Sequence, residues 1–130
     1  MQKQKSQSKS SSKTPSKCPE KNSLIQRPRM SYEQATAVEA LFEVLANDTR
    51  LRLLQEIACR VEATTVDLAA ALEMKPQAIS NQLQRLHDKR IVAGRREGNN
   101  VFYRIVDHCV IVLLERALCL IEEDAKRTNQ

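Results

Sequence analysis

The chain has 130 residues, 42% of them hydrophobic, and carries a formal net charge of +5. That length suits one domain with one modest core. Its longest apolar run, Val110 to Leu114, falls far short of the roughly 20 residues that a bilayer-spanning helix needs. The four cysteines form no CxxC pair, and no apolar stretch follows the basic N-terminus. The expected setting is therefore the cytoplasm, with thiols reduced at rest and no membrane partner.

The net charge hides a segregation. Residues 1–30 hold eight Lys/Arg against Glu20 alone, and residues 75–104 hold seven against Asp88 and Glu97. The rest of the chain is acidic. Positive charge gathered in a tail and one segment points to a polyanion partner.

Residues 1–29 read as a disordered basic N-terminal tail, Ser-, Lys- and Gln-rich with almost nothing to bury. Residues 30–130 read as the folded domain. "SYEQATAVEALFEVLA" places Ala35, Val38, Leu41, Phe42 and Leu45 at helical spacing. Asn47 is a candidate N-cap for "DTRLRLLQEIAC", whose apolar face is Leu51, Leu53, Leu54 and Ile57. Thr64 caps "TVDLAAALEM", with Asp67 in the first turn where an acid suits the helix dipole. Pro76 opens "PQAISNQLQRLHDK" at a first helical position; Ile79, Leu83 and Leu86 share its inner face. "RIVAGRREGNNVFYRIV" then carries β-formers around the turn residues "EGNN" and predicts a β-hairpin. A last helix is expected from about Asp107 to about Lys126. The result is a mainly α fold with one small hairpin, in the order α-α-α-α-β-β-α. Two short helices followed by a basic hairpin describe a winged helix-turn-helix.

The outer face of 76–88 offers Gln77, Ser80, Asn81, Gln84 and Arg85, residue types that read base edges in a major groove. The hairpin offers Arg95, Arg96, Asn99 and Asn100 for phosphates or the minor groove. Double-stranded DNA is the partner these two sets imply together. Neither His87 nor His108 has a nucleophile at motif spacing, and only Gly94 and Gly98 are available for a phosphate loop. An enzyme is therefore not expected.

The motifs "LFEVLANDTRLRLLQEI", "VDLAAALEMKPQAISNQLQRLHDKRIV" and "GRREGNNVFYRIVDH" together resemble the ArsR/SmtB family of bacterial winged-helix repressors, over about residues 30–125. The resemblance implies a homodimer through the first and last helices, bound to an inverted-repeat operator in the bacterial cytoplasm. It implies release from DNA by a metal, metalloid or thiol-reactive signal. It assigns 76–88 as the recognition helix and 94–104 as the wing. Lys75 stands where many members have Ser or Thr, so the recognition helix has a poorer side-chain cap and Lys75 is a candidate phosphate contact. The Cys-containing box that many metal sensors carry before this helix is replaced by "EATTVDL", without a thiol.

The family's other common metal site uses both ends of the last helix. Asp107 and Cys109 match its first pair and Glu123 its final ligand. Leu120 occupies the third position, with Cys119 one residue away. Cys109 and Glu123 lie roughly 21 Å apart along one helix, so a shared ion requires an antiparallel partner helix. A set of Asp107, Cys109, Cys119 and Glu123 across the dimer would suit Zn(II) or another thiophilic divalent metal. Two other accounts stand beside it. Cys109 and Cys119 of two subunits could form a redox switch, or the thiols simply fill the core, with Asp107 an N-cap and Glu123 a surface residue. An alternative thiol site would pair Cys18 with Cys59. An effector-independent DNA-binding protein is the remaining function of a different kind.

Overall fold

The computed structural model describes residues 23–129. Expectations that fall on residues 1–22, Cys18 among them, lie outside the described residues. The elements are α1 (Tyr32–Leu45), α2 (Asp48–Arg60), α3 (Thr65–Leu72), α4 (Pro76–Asp88), β1 (Val92–Glu97), β2 (Asn100–Ile105) and α5 (His108–Thr128). This is the expected order.

Local chemistry explains most of the boundaries. Ser31 and Gln34 form a capping box at α1: Gln34 N–H donates to Ser31 Oγ at 3.1 Å, and Ser31 N–H donates to Gln34 Oε1 at 3.0 Å. Asn47 Oδ1 accepts from the Arg50 N–H at 3.0 Å and starts α2. Thr64 and Asp67 make a second capping box at α3. The bonds from the Thr64 backbone and hydroxyl hold the Asp67 carboxyl below its ordinary pKa. Lys75 supplies no side-chain cap to α4, where Pro76 at the first turn has no N–H to satisfy.

Two helices end in Schellman motifs built without glycine. In α3, Met74 N–H reaches Ala69 O at 3.0 Å and Glu73 N–H reaches Ala70 O at 3.3 Å. In α4, Ile91 N–H reaches Leu86 O at 3.0 Å and Arg90 N–H reaches His87 O at 2.9 Å. The left-handed positions are Glu73 (φ 55°) and Arg90 (φ 61°).

The core joins Leu45 of α1, Leu53, Leu54 and Ile57 of α2, and Leu68 and Leu72 of α3 to Ile79, Leu83 and Leu86 of α4. Val92 and Ile105, paired across the hairpin, close it at the wing's root. Leu51, grouped by periodicity with the α2 face, is exposed instead. Its place in the interior is taken by Arg50, only 9% exposed.

β1 and β2 pair antiparallel from Val92↔Ile105 to Glu97↔Asn100, leaving Gly98 and Asn99 as the turn. Gly98 has φ 63°, a conformation that favours glycine at the first turn position. Gly94 is required for a different reason: a Cβ there would meet Val101 Cγ1 at 2.8 Å and the Tyr103 ring at 3.3 Å. The wing is also held from below. Ala63 pairs with Tyr103 through two backbone bonds of 3.1 and 2.8 Å, an isolated bridge from the α2–α3 connection.

The first and last helices are the least covered. α1 exposes Tyr32, Val38 and Phe42. The first half of α5 leans on the core through Val110, Ile111, Leu113 and Leu114. Its second half leaves Leu118, Leu120 and Ile121 between 52% and 67% exposed. No described helix is long and apolar enough to cross a membrane.

Candidate nucleic-acid interface and thiol-bearing helix

Burial of Ile79, Leu83 and Leu86 turns the opposite face of α4 outward. Gln77, Ser80, Asn81, Gln84 and Arg85 are all exposed there, as is Lys75 before the first turn. Gln77 Nε2 donates to Asn81 Oδ1 at 3.2 Å, and Gln84 Nε2 donates to Asp88 Oδ1 at 2.8 Å. These exposed bonds cost little to exchange for base edges. The surface therefore presents amide and hydroxyl groups of both hydrogen-bonding senses, with Arg85 beside them.

The wing's arginines have different situations. Arg95 is bound from two sides: Nε and Nη2 donate to Glu62 Oε2 and Oε1 at 3.0 and 2.9 Å, and Nη1 donates to Glu97 Oε1 at 2.6 Å. Its guanidinium carbon also lies 4.8 Å from the Phe102 ring centroid, across the strand pair. The Glu62 bond first, then Glu97, hold its pKa above the ordinary value. Arg95 thus clamps the wing to the α2–α3 connection. Arg96, on the other face of β1, is exposed and forms no ion pair among the described residues. Asn99 and Asn100 are exposed at the tip.

Sequence reasoning did not single out Arg50. Its Nε donates to Val44 O at 2.6 Å and its Nη1 to Gln82 Oε1 at 2.7 Å, linking the end of α1 to the middle of α4. Periodicity gives no signal for this, because the partners come from other elements. Glu62 was also missed, for the same reason.

On α5, Asp107 is the N-cap: its Oδ1 accepts from the Cys109 N–H at 2.8 Å. Cys109 is half-buried and disulfide-bonded. Cys119 is an exposed free thiol among the uncovered apolar residues of the helix. Glu123 is exposed and meets Lys126 at 3.5 Å. Cys109 and Cys119 are separated by roughly 15 Å of helix rise. No three His, Cys, Asp or Glu side chains converge among the described residues. One protomer therefore does not assemble the four expected ligands. Cys59, an exposed free thiol in the last turn of α2, is not joined to them.

No protein-family model matches the chain. The transcriptional repressor SmtB homolog of Synechocystis sp. is 40% identical over 89 residues, 68% of this chain and 67% of the relative. The crystal structure of the antimony-specific transcriptional repressor AntR is 55% identical, with a TM-score of 0.71, covering 84% of this chain and 98% of that one. The solution structure of a homodimeric winged helix-turn-helix DNA-binding domain from Mycobacterium bovis is 29% identical, with a TM-score of 0.66, covering 75% of this chain and 93% of that one.

Proposed function

The chain belongs to the ArsR/SmtB family of winged helix-turn-helix transcriptional repressors, a metal-responsive and non-enzymatic family, and from that premise we propose that it is a homodimeric repressor released from its operator by a thiophilic metalloid. The observation that carries the choice of signal is its 55% identity to a repressor described as antimony-specific, over nearly all of that chain. Cys109 and Cys119 are the proposed ligands. Soft thiolates select soft ions, and the distance between the two along α5 requires both protomers. Asp107 acts as the helix cap and Glu123 as a surface residue in this reading, so Zn(II) at a mixed thiolate–carboxylate site is the weaker candidate.

The uncovered faces of α1 and α5 support self-association. Leu118, Leu120 and Ile121 form an apolar stretch that water would otherwise wet, and Cys119 lies within it. A metalloid held there pulls on the contact between protomers and hence on the spacing of the two α4 helices. It shifts the dimer only by its differential affinity for the DNA-competent and DNA-weak forms, typically about 1–3 kcal/mol. α4 enters the major groove, with Gln77, Ser80, Asn81, Gln84 and Arg85 as the reading set. Lys75, Arg96, Asn99 and Asn100 position it on the backbone of an inverted-repeat site. The basic segment 1–29 adds salt-sensitive affinity or solubility. A second reading, release by thiol oxidation, is favoured by the disulfide at Cys109; metalloid capture requires that thiol reduced.

The test is fluorescence anisotropy on duplex DNA from the chain's own upstream region, with reduced protein. Antimonyl tartrate should release the DNA, and Cys109→Ser or Cys119→Ser should abolish release while leaving binding intact. Release by Zn(II) alone, or by a mild oxidant alone, would replace the metalloid by the corresponding signal. Release that survives both substitutions would remove α5 as the sensor and leave Cys18 and Cys59 as the alternative thiols.

A further inference from the structure

Arg50 stands out among the charged residues. At 9% exposure it is the buried charged side chain of the described residues, and none of their carboxylates lies within ion-pair distance of it. A guanidinium removed from water without a counter-charge is costly, and an apolar residue of similar volume would satisfy packing more cheaply. What it supplies instead is a pair of directed bonds to two different helices. Nε caps Val44 O, in the last turn of α1 where helix carbonyls lack intrahelical partners. Nη1 holds Gln82 Oε1 on the half-buried flank of α4, between exposed Asn81 and buried Leu83.

We propose that Arg50 and Gln82 are positioning residues that fix the orientation of the reading helix relative to α1, and so set the separation of the two reading heads in the dimer. The inference rests on α4 being the recognition helix and on α1 being part of the dimer platform. Apolar ridge-into-groove packing sets the crossing angle of a helix only as a tendency, with a scatter of about 15–20°. A short, charge-assisted hydrogen bond does not. A dimer reads two half-sites about one helical turn apart, so a small rotation of each α4 misplaces base contacts at both. Phosphate contacts to random DNA tolerate the same rotation.

The experiment compares binding to a duplex selected from a randomised pool with binding to a scrambled duplex. Dimerisation by sedimentation equilibrium and thermal unfolding are followed in parallel. Gln82→Leu removes the acceptor while leaving the Arg50–Val44 bond, and avoids the misfolding that replacing Arg50 itself invites. It should lower affinity for the selected duplex about tenfold, a usual size for one lost specificity contact. Scrambled-duplex affinity and the dimer constant should stay within about twofold. Gln82→Glu, which keeps an acceptor at the same place, should restore the selected-to-scrambled ratio even if its charge weakens both duplexes. Arg85→Ala on the exposed face serves as the control. If Arg85→Ala relaxes sequence preference and Gln82→Leu does not, the positioning role is overturned and the recognition helix stands. If neither changes the preference, the recognition-helix reading falls and takes the proposal with it. If Gln82→Leu and Gln82→Glu lose the ratio equally, the bond to Arg50 is not what orients α4.

Discussion

Replacing Asp107 distinguishes a helix cap from the metal ligand that the sequence led one to expect. In the structure its Oδ1 accepts from the Cys109 N–H at 2.8 Å and opens the 21-residue helix α5. Asp107→Ala removes the acceptor and leaves that N–H without its side-chain partner. Losing an N-cap typically costs about 1 kcal/mol. For a domain of this size, that corresponds to a fall in Tm of about 4–8 °C. Asp107→Asn keeps a good capping oxygen but removes the charge that would favour binding a metal. It should therefore unfold within about 0.3 kcal/mol of the parent, since Asn and Asp rank together as caps. The assay is thermal and urea unfolding at one fixed protomer concentration, because self-association raises apparent stability, paired with antimonyl-induced DNA release. The cap reading expects Asn to match the parent in both measurements. If Asn destabilises as much as Ala, the capping argument is wrong. If Asn is stable but no longer releases DNA, Asp107 is a ligand.

Other outcomes follow from the same geometry. Arg96→Ala should weaken all duplexes alike and reduce the salt slope of binding by about 1. Arg95→Ala should instead leave the slope nearly unchanged and speed amide exchange across Val101–Tyr103, because its guanidinium is committed to Glu62 and Glu97. Glu73→Gly should raise Tm by a few degrees, since relief of a left-handed residue, about 1–2 kcal/mol, exceeds the roughly 0.5–1 kcal/mol of glycine entropy; Glu73→Ala should give no such gain. The Asp67 pKa is depressed on folding, so its contribution is present above the unfolded carboxylate range and is lost as pH falls through the folded value. Asp67→Asn should therefore lower stability at neutral pH and flatten the acid limb of the stability–pH curve, the parent and variant curves converging as pH falls below about 4. Leu118→Asp should convert the dimer to monomer in sedimentation, and DNA affinity should fall with it.

What could be read from the sequence was whatever is local or periodic. Pro76 with Ile79, Leu83 and Leu86 marks α4 and its inner face in one line of text, so the exposed set from Gln77 to Arg85 follows by subtraction. Asn47 and Thr64 cap as their positions indicate. Glu73 and Arg90 carry no such mark, because their left-handed backbones are normally signalled by glycine and the chain has only Gly94 and Gly98. Arg50 reads as an ordinary surface arginine in the first turn of α2 until α4 packs over it. Arg95 reads as a free phosphate ligand until folding brings Glu62, 33 positions earlier, against it. The candidate ligands on α5 are legible one by one. Their meeting is not, because it depends on a second chain.

The bridge between Ala63 and Tyr103 bears on how such proteins can be recombined. With two backbone bonds at Ala63 and the Glu62–Arg95 pair beside them, the wing is fastened to a segment that precedes α4 in the chain. A graft that exchanges only residues 92–105 would separate the hairpin from half of its anchorage. The smallest portable module therefore runs from the connection before α3 through the end of β2, and a chimera cut inside it would carry a wing hinged only at its root.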